Sequence, residues 1–302
     1  MTGTKLNINL LPKVRGKYKI AEPLRQYTWL NVGGPAEVMF FPEDEEDLRN
    51  FLLNKPQNSE VFVIGGGSNL LVRDGGIAGF VIKLAGAEFA KKTLQDNILY
   101  CGAGCLNFSL KQVVVENGLG GLEFLCSIPG TIGGALRSNA GCFGGDISKV
   151  LEYARVMNKS GEILTVKAED FHFGYRSSNF PPDWIILGVG LRFEKTDVSE
   201  VQNKVAENDE YRRTHQPQGI RTAGSTFKNP EGNAAWKLIK QCGGDVMQFG
   251  GAKMSDKHCN FLQNDGTATA ADIEKLCGEI ANAVKQQTGV ELELEIKKIG
   301  QE

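Results

Sequence analysis

The sequence has little of what usually assigns a chain early. It has no Cys-x-x-Cys pair, and its seven cysteines are an odd number. That argues against a disulfide framework and predicts free, mostly buried thiols in a reducing compartment. Cys101 and Cys105 are the nearest pair in sequence. Histidine is scarce: His172, His215 and His258 are scattered and make no metal-ligand pattern. His258 beside Cys259 is no dyad by adjacency alone. Charge of either sign is nearly balanced, at a net -2 with basic residues dispersed, so nothing points to nucleic acid or a polybasic membrane patch. Long apolar runs are missing too. The longest candidate, "WIILGVGLRF", is strand-sized and broken by Gly188 and Gly190. The opening residues show no apolar stretch of the signal-peptide kind, so a cytoplasmic protein is expected. No internal repeat is visible.

Glycine is what the chain has in excess. Its 37 glycines are about 12% of 302 residues, against about 7% in average usage. They fall in discrete clusters, many of them before residue 150. Glycine permits positive φ and close backbone approach, which suggests a backbone wrapped tightly around something. The stretch "VFVIGGGSNLLVRDGG" from Val61 shows the problem. A dinucleotide fingerprint needs Gly-x-Gly-x-x-Gly; Gly65 and Gly67 fit, but the third place holds Leu70. The run "LLVRDGG" from Leu70 is strand-like, not helical. Consecutive backbone N–H groups at such a turn could form a nest for phosphate oxygens, with Ser68 and Asn69 adding donors. An ordinary tight turn accounts for three glycines alone equally well.

The periodicities predict a lead-in over residues 1–20, a strand over 36–41, and a helix opening at Pro42 with an acidic first turn. Strands come next at 61–66 and 80–84. A further strand and a helix lead to a long glycine-rich loop over 118–145. Strands are expected near 151–157, 162–166 and 183–194, and a polar helix over 198–213. After Gln216-Pro217 come a helix at 233–241, strands near 251–254 and 260–264, and a long helix over 270–287 ended by Gly289. "VELELEIKKI" reads as an alternating strand. Helices and strands do not alternate evenly, so α+β is expected.

Four further stretches could carry chemistry. "SIPGTIGGALRSNAGCFGGD" mixes glycine with isoleucines and little charge, which suits a backbone packed against a large flat ligand or a compact structural loop. "AGSTFKNP" groups Ser225, Lys228 and Asn229, though turn Ser and Asn usually serve the backbone. "GYRSSNFPP" puts Arg176 beside Tyr175; an arginine there can grip a carboxylate or phosphate, or merely pair at the surface. In "ELELEIKKIG", Glu291, Glu293 and Glu295 share one face of a strand, and a solvated acidic face is the plainer reading.

Taken in order, "NVGGPAE", "GGGSNLLVRDGG", "SIPGTIGGALRSNAGCFG", "GYRSS", "AGSTFKNP", "GAKMSDKHCNFLQN" and "LELEIKKIG" resemble the UDP-N-acetylenolpyruvoylglucosamine reductase (UDP-N-acetylmuramate dehydrogenase) family. The resemblance runs from about Tyr27 to Gly300. It implies a two-subdomain FAD-binding fold of the p-cresol methylhydroxylase type, over residues 1–90 and 91–215. A C-terminal α+β substrate-binding domain would span 216–302, its last strand returning Glu295 to the active site. It implies non-covalent FAD held by Asn31, Gly33, Gly65, Gly66, Gly67, Ser68, Asn69, Leu70, Ile128, Pro129, Gly130, Gly133, Gly134, Asn139, Ala140 and Gly141. Cys126 and Cys142 stand in cofactor loops where the family often has alanine. The implied catalytic group is Arg176, Ser225 and Glu295, with Tyr175, Lys228 and Asn229 at the substrate.

The implied reaction is reduction of an enolpyruvyl ether in peptidoglycan precursor synthesis, with hydride from flavin N5 and a proton from Ser225. NADPH would reduce FAD first and leave before the UDP-sugar binds. Arg176 and Glu295 would stabilise charge spreading onto the substrate carboxylate. A serine hydroxyl is a poor acid, so its surroundings must help, and Lys228 and Asn229 are the near candidates. A monomer is expected, without nucleic acid or membrane partners. The short segment between Phe193 and Val198 suits the compact branch of the family, which lacks the inserted tyrosine loop. Arg137-Ser138 departs from the apolar residue usual before Asn139. Two alternatives stay open: another flavin oxidoreductase of the same fold acting on an alcohol or sugar, and a non-catalytic nucleotide-sugar-binding protein. The first has no reason to keep Arg176, Ser225 and Glu295 together, and the intact trio argues against the second.

Overall fold

The computed structural model describes residues 6–302. The expected lead-in therefore lies partly outside the described residues; the remainder holds a 3-10 turn at Ile8–Leu10 and the start of a strand, Lys17–Pro23. The chain divides into two compact units. The first comprises Met1–Ile20, Val38–Gly66 and Gly79–Glu210; the second comprises Ala21–Glu37, Gly67–Ala78 and Tyr211–Glu302. Among the described residues no helix is long and apolar enough to cross a membrane.

In the first unit, Val61–Ile64 pairs in parallel with Ile77–Lys83, in register from Val61 with Phe80 to Ile64 with Lys83. These strands belong to a four-stranded sheet ordered Lys17–Pro23, Pro35–Phe41, Ile77–Lys83, Val61–Ile64. Helix α1, Glu45–Asn54, begins at Asp44, whose carboxylate accepts from the Asp47 N–H. Pro42 thus precedes the N-cap instead of occupying the first turn. An Asp cap with three acids in the first turn complements the helix dipole. Phe51 on α1 packs its ring against Phe40 and Phe80, with centroids 4.6 and 4.9 Å away.

A five-stranded antiparallel sheet comes next, in the order Ile163–Lys167, Leu151–Met157, Ile185–Arg192, Ile98–Gly102, Lys92–Gln95. Its central strand is buried from Ile185 to Leu191, which explains a continuous apolar run where a half-exposed strand would alternate. Helix α3 (Ile132–Arg137) packs on it, α2 (Leu110–Glu116) and α4 (Ile147–Val150) share its core, and α5 (Val198–His215) begins three residues after the two-residue strand Glu194–Lys195. That spacing leaves no room for an inserted loop there.

The region 118–145 is not the continuous loop that its glycines suggest. It contains a 3-10 turn at Glu123–Ser127, helix α3 and a small hairpin pairing Gly141–Cys142 with Gly145–Asp146. Tertiary bonds override the poor helix propensity of glycine: the N–H groups of Ile132 and Gly133 donate to the carbonyls of Cys105 and Ala103.

In the second unit, Gln248–Phe249, Ala252–Ser255 and His258–Asn264 form an antiparallel sheet. Against it lie α6 (Ala235–Gln241) and α7 (Ala270–Thr288). Thr269 and Asp272 make a capping box at the start of α7, and Gly289 ends it at φ +73°. The C-terminal alternation yields a strand only over Lys297–Ile299, paired in parallel with Leu70–Val72. Upstream, the same segment changes partner and meets residues 226–228 through a bridge between Phe227 and Leu294.

Candidate active site

The glycine turn after Val61–Ile64 is built by close approach. A Cβ on Gly66 would lie 2.7 Å from Gly130 Cα, and one on Gly65 would lie 2.4 Å from Thr131 Oγ1. Two stretches more than sixty residues apart in sequence, 65–66 and 130–131, therefore converge in the first unit. The Lys83 ammonium donates to the Gly65 carbonyl at 2.7 Å, which fixes that peptide. Burial pulls the Lys83 ammonium below its ordinary range. Gly130 holds φ +109°, and its carbonyl accepts from the Asn107 N–H. Thr131 Oγ1 is buried without a protein partner. Gly134 stands near the same hydroxyl, and Gly133 sits against Ala103. Ile128 and Pro129 enter this turn, with the Ile128 N–H bonded to Leu125.

Downstream, Asn139 is left-handed at φ +43°. Its amide nitrogen donates to Gly174 O at 3.0 Å, and its amide oxygen accepts from the Ser148 N–H at 3.0 Å. Its side chain is thus committed to protein partners. The Ala140 and Gly141 backbone continues into the small hairpin. Tyr175 and Arg176 form the tip of another hairpin, in which Phe173 pairs with Ser178 and Gly174 with Ser177. Arg176 is also left-handed, at φ +54°, a costly conformation for a long side chain. Its Nη2 donates to Gly141 O at 2.8 Å, and its guanidinium lies 5.0 Å from the exposed Tyr175 ring.

The second unit holds the remaining candidates. Gly67 takes φ +66°, and a Cβ there would strike the Tyr27 carbonyl. Its own carbonyl accepts from Trp29 N–H. Asn31 is left-handed at φ +55°, and Gly33 packs on Val72. Asn69 Nδ2 donates to Glu295 O at 3.1 Å, and Asn69 O accepts from Lys297 N. Asn69 Oδ1 is buried with no protein partner. Leu70 pairs with Lys297, and Ser68 is half-buried beside it in sequence.

The segments that carry Ser225 and Glu295 run antiparallel, bridged at Phe227 and Leu294. The Glu295 N–H donates to Thr226 O at 2.9 Å, and the Lys228 N–H to Glu293 O at 2.8 Å. Asn260 fastens the same segment, accepting from Phe227 N and donating to Phe227 O. Thr226 is fully buried, and its hydroxyl accepts from Leu262 N. Both Ser225 and Glu295 are half-buried on this anchored frame. Lys228 does not stand free as an acid for Ser225: its ammonium is 2.5 Å from the Glu293 carboxylate. The Asn229 side chain accepts from Ala235 N at the start of α6.

Residues 216–299 match the family model of the UDP-N-acetylenolpyruvoylglucosamine reductase C-terminal domain, and residues 36–167 match that of an FAD binding domain. The reductase of Paramagnetospirillum magneticum is 44% identical over 97% of this chain and 95% of its own length. The chain belongs to the UDP-N-acetylenolpyruvoylglucosamine reductase family. The enzyme of that name from Gluconobacter oxydans is 43% identical, over 95% of this chain and 94% of its own. A crystal structure of UDP-N-acetylenolpyruvylglucosamine reductase from Thermus caldophilus superposes with a TM-score of 0.81 at 36% identity, covering 95% of this chain and 99% of that one. The reductase family uses FAD, and this chain is a flavin oxidoreductase of α+β fold with the matching FAD-binding region.

The glycine-lined segments fit that cofactor. Thr131 Oγ1 in the first unit and Asn69 Oδ1 in the second are each buried polar atoms left over by the protein, and Thr131 Oγ1 stands where a Cβ on Gly65 would reach it. Thr131 and Lys83 were not singled out from the sequence. Thr131 lies inside the second glycine stretch and could have been found as the hydroxyl next to Gly130. Lys83 had no local signal, because its partner is 18 residues away. The two cysteines of these loops both have protein surroundings in the first unit. Cys126 is buried, and burial first, then Asp209 and Glu123, push its thiol up to about 12. Cys142 meets the Phe124 carbonyl at 3.4 Å. All seven cysteines are free, and no group of ligands for a metal ion occurs among the described residues.

Proposed function

We propose that this chain reduces the enolpyruvyl group of UDP-N-acetylglucosamine enolpyruvate to give UDP-N-acetylmuramate, with NADPH as electron source. The family's residue roles carry over position by position. FAD would be held by Asn31, Gly33, residues 65–70, Ile128, Pro129, Gly130, Gly133, Gly134 and residues 139–141, with Thr131 added. Tyr175, Lys228 and Asn229 would contact the substrate. Residues 1–90 and 91–215 would serve the cofactor, and 216–302 the UDP-sugar. A cytoplasmic monomer suits this reading.

When bound, FAD supplies the hydride from its N5. The protein's own work is orientation and charge. Arg176 places a permanent cation at the substrate carboxylate, where negative charge accumulates as the vinyl group is reduced. Glu295 shares a proton with that carboxylate and stabilises the enol form. Ser225 delivers a proton to the carbon next to the carboxylate. Its half-buried position restrains the hydroxyl, and the Thr226–Glu295 bond holds donor and acid in one register. Lys228, engaged with Glu293, orients this segment and takes no part in protonation.

The observation that supports the reading best is the bonding of the segment next to Ser225 to the Glu295 segment, through Thr226 O and the Glu295 N–H, within the region matched to the reductase's C-terminal domain. The test is spectroscopic. Purified protein should be yellow, bleach with NADPH, and recover its colour on adding the enolpyruvyl nucleotide without oxygen. A protein that cannot be reconstituted with FAD, or is reoxidised only by oxygen, contradicts it.

A further inference from the structure

Arg137 and Ser138 stand together where the family usually has an apolar residue before Asn139, and the structure gives the arginine a use. It is the last residue of α3 and half-buried. Its Nη1 donates to Phe180 O at 3.3 Å and Pro181 O at 2.9 Å, and its Nη2 donates to Trp184 O at 2.6 Å. The guanidinium also lies 5.2 Å from the Phe180 ring, which stacks on Phe171 at 4.4 Å. A buried guanidinium is costly unless its donors are used. Three carbonyls on one short loop satisfy it.

That loop continues directly from the Arg176 hairpin. The Ser178 hydroxyl donates to the Arg137 carbonyl at 2.9 Å, fastening the strand that leaves the tip. Asn139 holds the strand that enters it, through Gly174 O. Arg176 itself reaches Gly141 O. Residues 137, 139 and 141 thus secure the hairpin after, before and at its tip, respectively. A left-handed arginine is strained and persists only where the surroundings over-determine it.

We propose that Arg137 is a positioning residue for Arg176: by clamping residues 178–184 to the end of α3, it holds the Arg176 tip in its left-handed conformation and aims its cation. This rests on the reading of Arg176 as the charge at the substrate carboxylate. Arg137 touches neither substrate nor cofactor in this role. Leucine at the same position fills the space but leaves three carbonyls and the loop unfastened.

The test separates the two half-reactions in FAD-loaded enzyme. Arg137→Leu should retain flavin and be bleached by NADPH within about twofold of the parent rate. Its reoxidation by the enolpyruvyl nucleotide should slow by up to about 10²-fold, the loss expected from an ångström of misplacement. Combined with Arg176→Ala, it should add no further slowing. Amide hydrogen exchange of the cofactor-free protein should rise across residues 173–184. Arg137→Lys keeps the charge and most of the packing, and should reoxidise faster than Arg137→Leu but slower than the parent. Parental reoxidation in Arg137→Leu, slowing that multiplies with Arg176→Ala, or unchanged exchange would each overturn the inference. If Arg137→Leu does not fold, parental reoxidation in Arg137→Lys overturns it. The Arg176 reading fails separately, if Arg176→Ala alone is reoxidised at the parent rate.

Discussion

A methyl group on Gly66 would stand 2.7 Å from the Cα of Gly130, where the neighbour is backbone and has little freedom to retreat. Overpacking of this kind costs about 1–3 kcal/mol. We expect Gly66→Ala to weaken FAD binding about 5- to 150-fold, at about tenfold per 1.4 kcal/mol, measured by fluorescence titration of the cofactor-free protein. Cys126 makes a second residue-level expectation. Its thiol, raised to about 12 by burial, supplies no thiolate at neutral pH. Acid precipitation should therefore release all the flavin, and a yellow pellet would show a covalent bond. At this scale the sequence was informative wherever glycine did the work. Gly65, Gly66, Gly67 and Gly130 declare a tight backbone whatever their partners are. Arg137 is different: its carbonyl partners lie up to 47 residues away, so nothing local reveals whether it is a surface charge or a clamp.

At the level of elements, α7 was legible almost to the residue, because apolar periodicity and a terminal glycine agree, and the structure adds a Thr269–Asp272 capping box. Gly278 is the weak point within it. It is exposed and meets nothing within 4 Å of an added Cβ. Gly278→Ala should therefore stabilise the protein by about 0.5–1 kcal/mol in urea denaturation. The C-terminal segment was read less well. Alternation reports which faces are buried, not which neighbour supplies the hydrogen bonds. Here the neighbour changes from residues 226–228 to Leu70–Val72, so the regular strand shrinks to Lys297–Ile299. Glu274 on α7 joins these parts. It binds Arg73 in a fork at 2.7 and 3.1 Å and accepts from Lys298 at 2.8 Å. Burial alone would raise its carboxyl, but Arg73 and Lys298 hold it below the ordinary range. A carboxyl lowered in the folded state stabilises above its unfolded value of about 4.3 and loses that contribution as pH falls through the folded value. Glu274→Gln should thus lower the urea midpoint at pH 7, and the difference from the parent should shrink towards pH 3. An equal difference at both values would contradict the pairing.

At the scale of the whole molecule, the proposed reading has each unit contribute a buried oxygen without a protein partner, Thr131 Oγ1 in one and Asn69 Oδ1 in the other. A ligand that binds only the folded state stabilises it by mass action, about 2.7 kcal/mol at a hundredfold excess over its dissociation constant. Scanning calorimetry with and without FAD should show that rise, and a superposable pair of transitions would speak against the proposed cradle. The family was readable from ordered motifs, since each alone has an ordinary structural explanation. The proton's path was not. Lys228 looks like a natural helper for Ser225 in sequence, yet its ammonium is turned to Glu293. The central claim is that Ser225 gives the substrate carbon its proton. Ser225→Ala tests it most directly, with the half-reactions followed separately by stopped-flow absorbance. Bleaching by NADPH should proceed at the parent rate. Product formation from the reduced enzyme should fall by about 10²–10⁴-fold, the loss typical of a missing general acid, or beyond that range. If the reduced variant turns over substrate as fast as the parent, another group carries the proton and the claim is wrong.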